Sequence, residues 1–316
     1  MGNIKTHVQV GLVDLDGIIR GKFLERNKFE KLKKDGGSFC SVVFAWDSRD
    51  ELYENSYSGW FNGYPDDKIR VVNNDQPYIT ADGNEFYLLE FDDGGDGSQI
   101  CPSRLANKVS KKAQEQGFTI KGGFEYEVYA FNETFASAKE KNFKDLSPLT
   151  PSTGGYSVLR QGSNFDFFND FLSYTNKMNI PIEGFHPEAG QGALEFAMVP
   201  SIGTKSAEKA VVLKTFSKAW AQQRGLSLCY MAKPIANTPG SGGHLHISLH
   251  HDGNAIFFDD KKENNLSEIG RHFIGGQQKY MPELLSMYCS NVNSFTRLTP
   301  GFWAPTSATW GIDNRT

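Results

Sequence analysis

The sequence has no apolar run near the ~20 residues that span a bilayer. Its first ten residues lack the apolar core and small-residue cleavage site of a secretory leader. Neither a membrane protein nor an exported one is expected, and a cytoplasmic location follows. Only four cysteines occur in 316 residues, Cys40, Cys101, Cys229 and Cys289, widely separated and without a C-x-x-C pair. They read as reduced thiols, with no zinc knuckle or disulfide framework among them. Positive charge is not in excess either, since 33 Lys and Arg face 37 Asp and Glu. That balance offers no counterion-release surface for nucleic acid. Internal repeats, low-complexity tracts, G-x-G-x-x-G, the Gly-Lys-[Ser/Thr] phosphate loop, and Gly-x-Ser-x-Gly or Cys–His nucleophile arrangements are missing too.

What the sequence does have is aromatic residues, 24 Phe, 12 Tyr and 5 Trp, with 39 % apolar against 22 % charged residues. This is the make-up of an ordered globular protein. The length, against roughly 100–200 residues per domain, predicts two domains.

The first hundred residues read as short strands. Residues 8–13 alternate, Asp16-Gly17 supplies a turn, and 18–24 run back as a hairpin. Further strands are expected at 38–46, 68–72 and 85–90, and the Gly- and Asp-rich 92–99 reads as a linker. From Pro102 onward helices alternate with strands. Ser103 is placed to cap a helix with Leu105, Ala106, Val109 and Ala113 on one face and Gly117 at its end, followed by a strand over 118–131. Helices fit 166–179, 206–224 with Ala210, Leu213, Phe216 and Trp220 inward, and about 266–280. Residues 132–155 read as a mobile loop or an insertion.

Three stretches carry candidate chemistry. In Phe124-Glu125-Tyr126-Glu127-Val128 strict alternation puts both glutamates on one strand face, about 6.6 Å apart, a spacing that can hold two hard cations. A lone Glu-x-Glu is equally the pattern of a solvated strand face, so it needs partners. His186-Pro187-Glu188 and Glu195 flank a glycine-rich turn that lets backbone approach a ligand; alone it is also a decorated surface turn. After Gly240-Ser241-Gly242-Gly243 comes a second alternating strand with His244, His246 and Ser248 on one face, a pattern that satisfied core histidines also produce. Mixed Glu and His donors suit Mg²⁺ or Mn²⁺ better than zinc. Near the end, Arg297 and Arg315 sit in Gly-, Pro- and Asn-rich loops, where a guanidinium can fork onto carboxylate or phosphate or form a surface ion pair.

Taken in order, these stretches resemble the glutamine synthetase family. The matching motifs are Val13-Asp14-Leu15-Asp16-Gly17 with Arg20-Gly21-Lys22, Glu125-x-Glu127, His186-x-Glu188 with Gly190-Gln191 and Glu195, Gly240-Ser241-Gly242-x-His244-x-His246, and Asn293-Ser294-x-x-Arg297-Leu298 onward to Asn314-Arg315. The resemblance implies an α+β fold, with a β-grasp amino-terminal domain over 1–101 and a catalytic domain over 102–316. The antiparallel sheet of the second would form a barrel between subunits of a homo-oligomeric double ring. It implies a ligase in which ATP phosphorylates the γ-carboxylate of glutamate and ammonia or a small amine attacks the acyl phosphate, with Mg²⁺ or Mn²⁺ as cofactor and no nucleic acid or membrane partner.

Residue by residue, the resemblance assigns Glu127, Glu188 and Glu195 to one divalent ion and Glu125 with His244 to a second. It places His246 and Ser248 on the ATP side, Gly240 and Arg297 on glutamate, and Arg315 on the transferred phosphate and ATP. Asp47 resembles the aspartate lent to a neighbouring subunit to bind and deprotonate ammonium. Three departures accompany it. Where the family carries a glutamate that helps bind ammonium, Gly301-Phe302-Trp303-Ala304-Pro305 offers an indole, which suits a larger amine and the γ-glutamyl-amine ligase branch. Pro239 replaces a frequent Asn, which leaves a different acid substrate open. The family's Arg-x-Glu-x-Arg strand does not occur before Thr316, so a carboxy-terminal portion is expected to be missing, the alternative being a non-catalytic ring-forming paralogue.

Overall fold

Val8, Val10 and Leu12 alternate with Gln9 and Gly11. In the computed structural model, which describes residues 6–72 and 76–314, they form the buried face of β1 (His7–Val13). The chain turns at Asp14, whose buried carboxylate accepts from the backbone N–H of Asp16 and Ile18 and from Arg20 Nε, all at 2.8–2.9 Å, and returns as β2 (Ile19–Glu25). Next comes α1 (Arg26–Asp35), which buries Phe29 and Leu32 against this sheet. The sheet is completed by β3 (Gly37–Cys40), β4 (Asp66–Val71), β5 (Tyr78–Ile79) and β6 (Glu85–Phe91), in the order β2-β1-β6-β4-β3 with β5 on β6. β1 and β6 run parallel; the other pairs are antiparallel.

The expected strand over 38–46 is shorter than predicted: after Cys40 the chain makes a 3-10 turn, Ser41–Phe44, that inserts Val43 and Phe44 into the core. The expected linker contains a short helix, α2 (Gly97–Ile100), and α3 (Pro102–Glu115) follows. Ser103 does not cap α3. Cys101 occupies that position, and Ser103 Oγ donates to the buried Glu90 carboxylate at 2.8 Å. Leu105 and Val109, on the apolar face of α3, are both exposed.

The second sheet is organised by one long strand. β7 (Thr119–Phe131) pairs antiparallel with β9 (Ala193–Met198), β10 (Ser201–Ile202), β11 (Ser227–Cys229) and β12 (Gly243–His251), with β8 (Ile182–Pro187) outside β9 and β13 (Asn254–Ala255) outside β12. Residues 132–155 include α4 (Phe135–Glu140), and α5 (Val158–Ser163) and α6 (Phe165–Lys177) precede β8. α7 (Lys205–Gln222) buries Ala210, Leu213, Phe216 and Trp220, as its spacing predicts.

Alternation along β7 divides the two faces. Val128 and Ala130 join Phe171, Trp220 and Phe196 in the main core beneath α6 and α7, while Tyr129 and Phe131 lie on the opposite face with the glutamates. β6 is buried on both sides: Tyr87, Leu89 and Phe91 pack towards α1, and Phe86 and Leu88 enter the main core, with the Phe86 ring 4.8 Å from Phe216. One core therefore joins the two sheets. α8 (Glu268–Tyr288) runs past its expected end and contains Pro282, and α9 (Val292–Arg297) follows. All four cysteines are free, and no described helix is long and apolar enough to cross a membrane.

Candidate functional site

Strand register assembles the site. Antiparallel pairing sets His244 of β12 opposite Glu125 of β7, Glu127 of β7 opposite Glu195 of β9, and Glu195 opposite His186 of β8. Directly opposed residues project to the same face at close range, so one row of carboxylates and imidazoles crosses four strands. His244 Nδ1 is 2.7 Å from Glu125 Oε1, and His246 Nε2 is 3.7 Å from Glu125 Oε2. His186 lies between two carboxylates, with Nδ1 3.5 Å from Glu188 and Nε2 3.4 Å from Glu195. Two groups thus have donor atoms within 4.8 Å of one another, Glu125 with His244 and His246, and His186 with Glu188 and Glu195. Glu127 lies between them, and its Oε2 accepts the Gly242 N–H at 2.7 Å.

The row has more negative charge than it holds comfortably. Burial pushes the Glu195 carboxyl up to about 8, and the charges of Glu125, Glu127 and Glu188 push the same way. Burial also opposes ionisation of Glu125, yet the hydrogen bond from His244 and the charges of His244 and His246 hold its carboxyl below the usual range. The pair behaves as two carboxyls sharing one proton. Half-buried carboxylates with His186 beside them, and the exposed imidazoles of His244 and His246, offer the oxygen and nitrogen donors that fit a hard divalent cation.

Glycine-rich backbone closes over this row. A Cβ on Gly242 would stand 3.0 Å from Arg297 Nη2, 3.0 Å from Glu127 Oε1 and 3.1 Å from His244 Nε2, so three functional side chains converge on that glycine. At Gly240 a Cβ would stand 2.4 Å from the Ala232 carbonyl and 2.7 Å from Arg297 Cγ. Arg297 ends α9, and its Nε is buried with no hydrogen-bond partner among the described residues. Asn293 of the same helix clamps the backbone of Lys233, accepting its N–H and donating to its carbonyl, both at 2.9 Å. Tyr129 ties the preceding loop to β7 by donating to the Pro239 carbonyl at 2.6 Å.

The structure thus brings together Glu125, Glu127, Glu188, Glu195, His244, His246, Gly240 and Arg297. Ser248 lies two residues further along the face of β12, 3.1 Å from His250 Nε2. Asp47 is elsewhere: its carboxylate accepts from the backbone N–H of Arg49 and Glu51 at 2.8 and 3.0 Å, and those bonds hold its carboxyl below the usual range. Trp303 is 77 % exposed and adopts φ +58°. Arg315 falls outside the described residues. Three neighbours had been given no role from the sequence, although His186 stands in one of the motifs. His186 sits among the carboxylates, the Tyr156 ring stacks on it at 4.2 Å with φ +57°, and the buried Arg160 holds the turn after β8. The bulky residue at positive φ is the one local signal of the three, and it is visible only in the backbone.

A sheet face carrying Glu and His at ligating separations, closed by a glycine loop and an arginine, has the chemistry of a cation-dependent enzyme of anionic substrates. Residues 99–316 match the family described as glutamine synthetase, catalytic domain, and the chain belongs to the glutamine synthetase family. It is 38 % identical to type-1 glutamine synthetase 2 of Dictyostelium discoideum, over 98 % of this chain and 60 % of that protein. It is 30 % identical to the glutamate–isopropylamine ligase of a Pseudomonas species, over 99 % of this chain and 69 % of that one. Among solved structures, a GmaS/ADP complex superposes with TM-score 0.81 at 20 % identity, covering 98 % of this chain and 70 % of that chain. The fold is that of the glutamine synthetase catalytic domain, of mixed α and β content. The family comprises carbon–nitrogen ligases of nitrogen metabolism, γ-glutamylamine synthetases among them.

Proposed function

We propose that the chain carries the active site of an ATP-dependent ligase that joins the γ-carboxyl of glutamate to ammonia or a small amine through an acyl phosphate. The observation that carries this reading is the strand register that gathers Glu125 with His244 and His246, and His186 with Glu188 and Glu195, into two groups whose donor atoms lie within 4.8 Å of one another. Such a row needs a cation, and one or two Mg²⁺ or Mn²⁺ ions there would neutralise phosphate charge during transfer. Glu125, His244 and His246 make one donor set; Glu188 and Glu195 with Glu127 make the other, and His186 braces both of the former carboxylates.

In the reaction, a γ-carboxylate oxygen attacks the terminal phosphorus of ATP and ADP leaves. The amine nitrogen then attacks the acyl carbon, phosphate departs, and the nitrogen gives up a proton. Gly240 lets the loop backbone pass close to Ala232 O and Arg297, where nothing larger than hydrogen fits, and Arg297 stands beside it to meet a carboxylate of the amino acid. Ser248 and His246 extend the same strand face towards the nucleotide, Arg315 serves the phosphoryl group, and Asp47 accepts the amine's proton in a neighbouring subunit of a double ring.

Residues 1–101 are proposed as the β-grasp domain, supported by the β1–β2 hairpin, the α1 that follows it and the parallel central pair β1–β6. Residues 102–316 are proposed as the catalytic domain, its second sheet forming the inter-subunit barrel. Trp303, in place of an acid, favours an amine larger than ammonia, in keeping with the isopropylamine ligase among the relatives.

The test is glutamate-dependent ADP release with Mg²⁺ or Mn²⁺ against ammonium, methylamine, isopropylamine, ethanolamine and putrescine. Turnover is expected, with an alkylamine ranked above ammonium. A chain that binds Mn²⁺ but turns over none of the panel would instead be a non-catalytic ring-forming relative, the reading that Trp303 also favours.

A further inference from the structure

Arg160, in α5, is 5 % exposed, and no described carboxylate pairs with its guanidinium. A buried charge is costly unless its hydrogen bonds are made, and here they are made to oxygens of two separate segments. Nη1 donates to the carbonyls of Gly154 at 2.7 Å and Glu188 at 3.1 Å. Nη2 donates to Thr150 Oγ1 and to the Gly190 carbonyl at 3.2 Å. Thr150 Oγ1 in turn accepts the Gly192 N–H at 3.2 Å. The segment 150–160 is therefore bonded to the turn 188–192 at three points through one guanidinium and one hydroxyl. A fourth tie, from the Tyr156 N–H to the Pro187 carbonyl at 2.8 Å, places the Tyr156 ring over His186. Only a planar fork reaches so many oxygens at once.

We infer that Arg160 is a positioning residue of the cation centre. From behind the turn it fixes the backbone that carries Glu188, and so the angle at which that carboxylate meets the ion beside Glu195. Its positive charge also lies on the buried side of a row short of cations. The inference rests on the cation reading above; it adds the residue that sets the geometry.

The experiment measures Mn²⁺ affinity by electron paramagnetic resonance on the full chain and on Arg160→Gln, Arg160→Lys, Thr150→Val and Glu195→Gln, with thermal unfolding in chelator alongside. Arg160→Gln should weaken Mn²⁺ about 10- to 100-fold, the range for loss of a partner outside the ligand set, and Arg160→Lys should recover part of that loss. Thr150→Val, which keeps the guanidinium but removes one of its anchors, should weaken binding by a smaller factor and decides the matter should Arg160→Gln fail to fold. A purely structural role would lower the melting temperature in chelator and leave the Mn²⁺ affinity of the folded variants at the wild-type value, which would overturn the inference. If wild type binds Mn²⁺ and Glu195→Gln does not, while the Arg160 and Thr150 variants match wild type, only this inference fails. If wild type binds no Mn²⁺, the cation reading fails and takes the inference with it.

Discussion

Glu195 holds its proton to about pH 8 because it is buried beside three other carboxylates, and this ties stability to pH in a defined sense. Its folded value lies above the unfolded one, so the folded, metal-free chain binds the extra proton across the interval between them. The stabilisation is complete below an unfolded value near 4.5 and is lost as pH rises through about 8. Glu125, held low, acts in the opposite sense and only at acid pH. Thermal unfolding in chelator should therefore show a melting temperature that falls from pH 5 to pH 8. Glu195→Gln should flatten that slope and raise metal-free stability at pH 8, while removing Mn²⁺ binding. A melting temperature that does not change across this interval would show that the row ionises without strain. Trp303→Glu should move amine preference towards ammonium, read as the ratio of kcat/KM for ammonium and isopropylamine.

At the level of elements, the two glycines before β12 make a contrast. A methyl at Gly242 meets the movable ends of Arg297, Glu127 and His244, whereas at Gly240 it meets the Ala232 carbonyl, which is backbone. Gly242→Ala should leave stability within about 0.5 kcal/mol of wild type and lower turnover sharply. Gly240→Ala should reduce both, and equal melting temperatures for the two would refute the distinction. The same loop shows what the sequence could reveal. Alternation placed Glu125 with Glu127 and His244 with His246 on strand faces, and spacing found the buried stripe of α7. Which strand stands beside which is a matter of long-range register, so His244 opposite Glu125 was legible only through family resemblance. α1 escaped notice because it buries just Phe29 and Leu32 among Lys, Glu and Asn. Spacing also gave α3 an apolar face, whose Leu105 and Val109 are exposed, because periodicity reports a face and not what covers it. Arg160 was unreadable for a different reason: its partners are mostly carbonyl oxygens, which every residue carries.

Over the whole molecule, the main core draws on both sheets, with Phe86 and Leu88 of β6 packed in one cluster with Phe171 of α6, Phe216 and Trp220 of α7, and Val128 and Phe196 of the second sheet. Calorimetry should give one cooperative transition, and Phe86→Ala should lower stability by about 3–5 kcal/mol without splitting it. Two separated transitions would mean that the sheets are independent despite their contact. The row of donors has its own consequence in time. His244 and Glu125 meet across 119 residues of chain, and His186 and Glu195 come from β8 and β9 in between. Contacts so distant form late, after loop closure has brought the strands together. A cation held there acts as a latch closed last, absent from the transition state. Chelation should therefore speed unfolding several-fold and leave the refolding rate almost unchanged, so that the ion governs how long the chain stays folded rather than how quickly it folds.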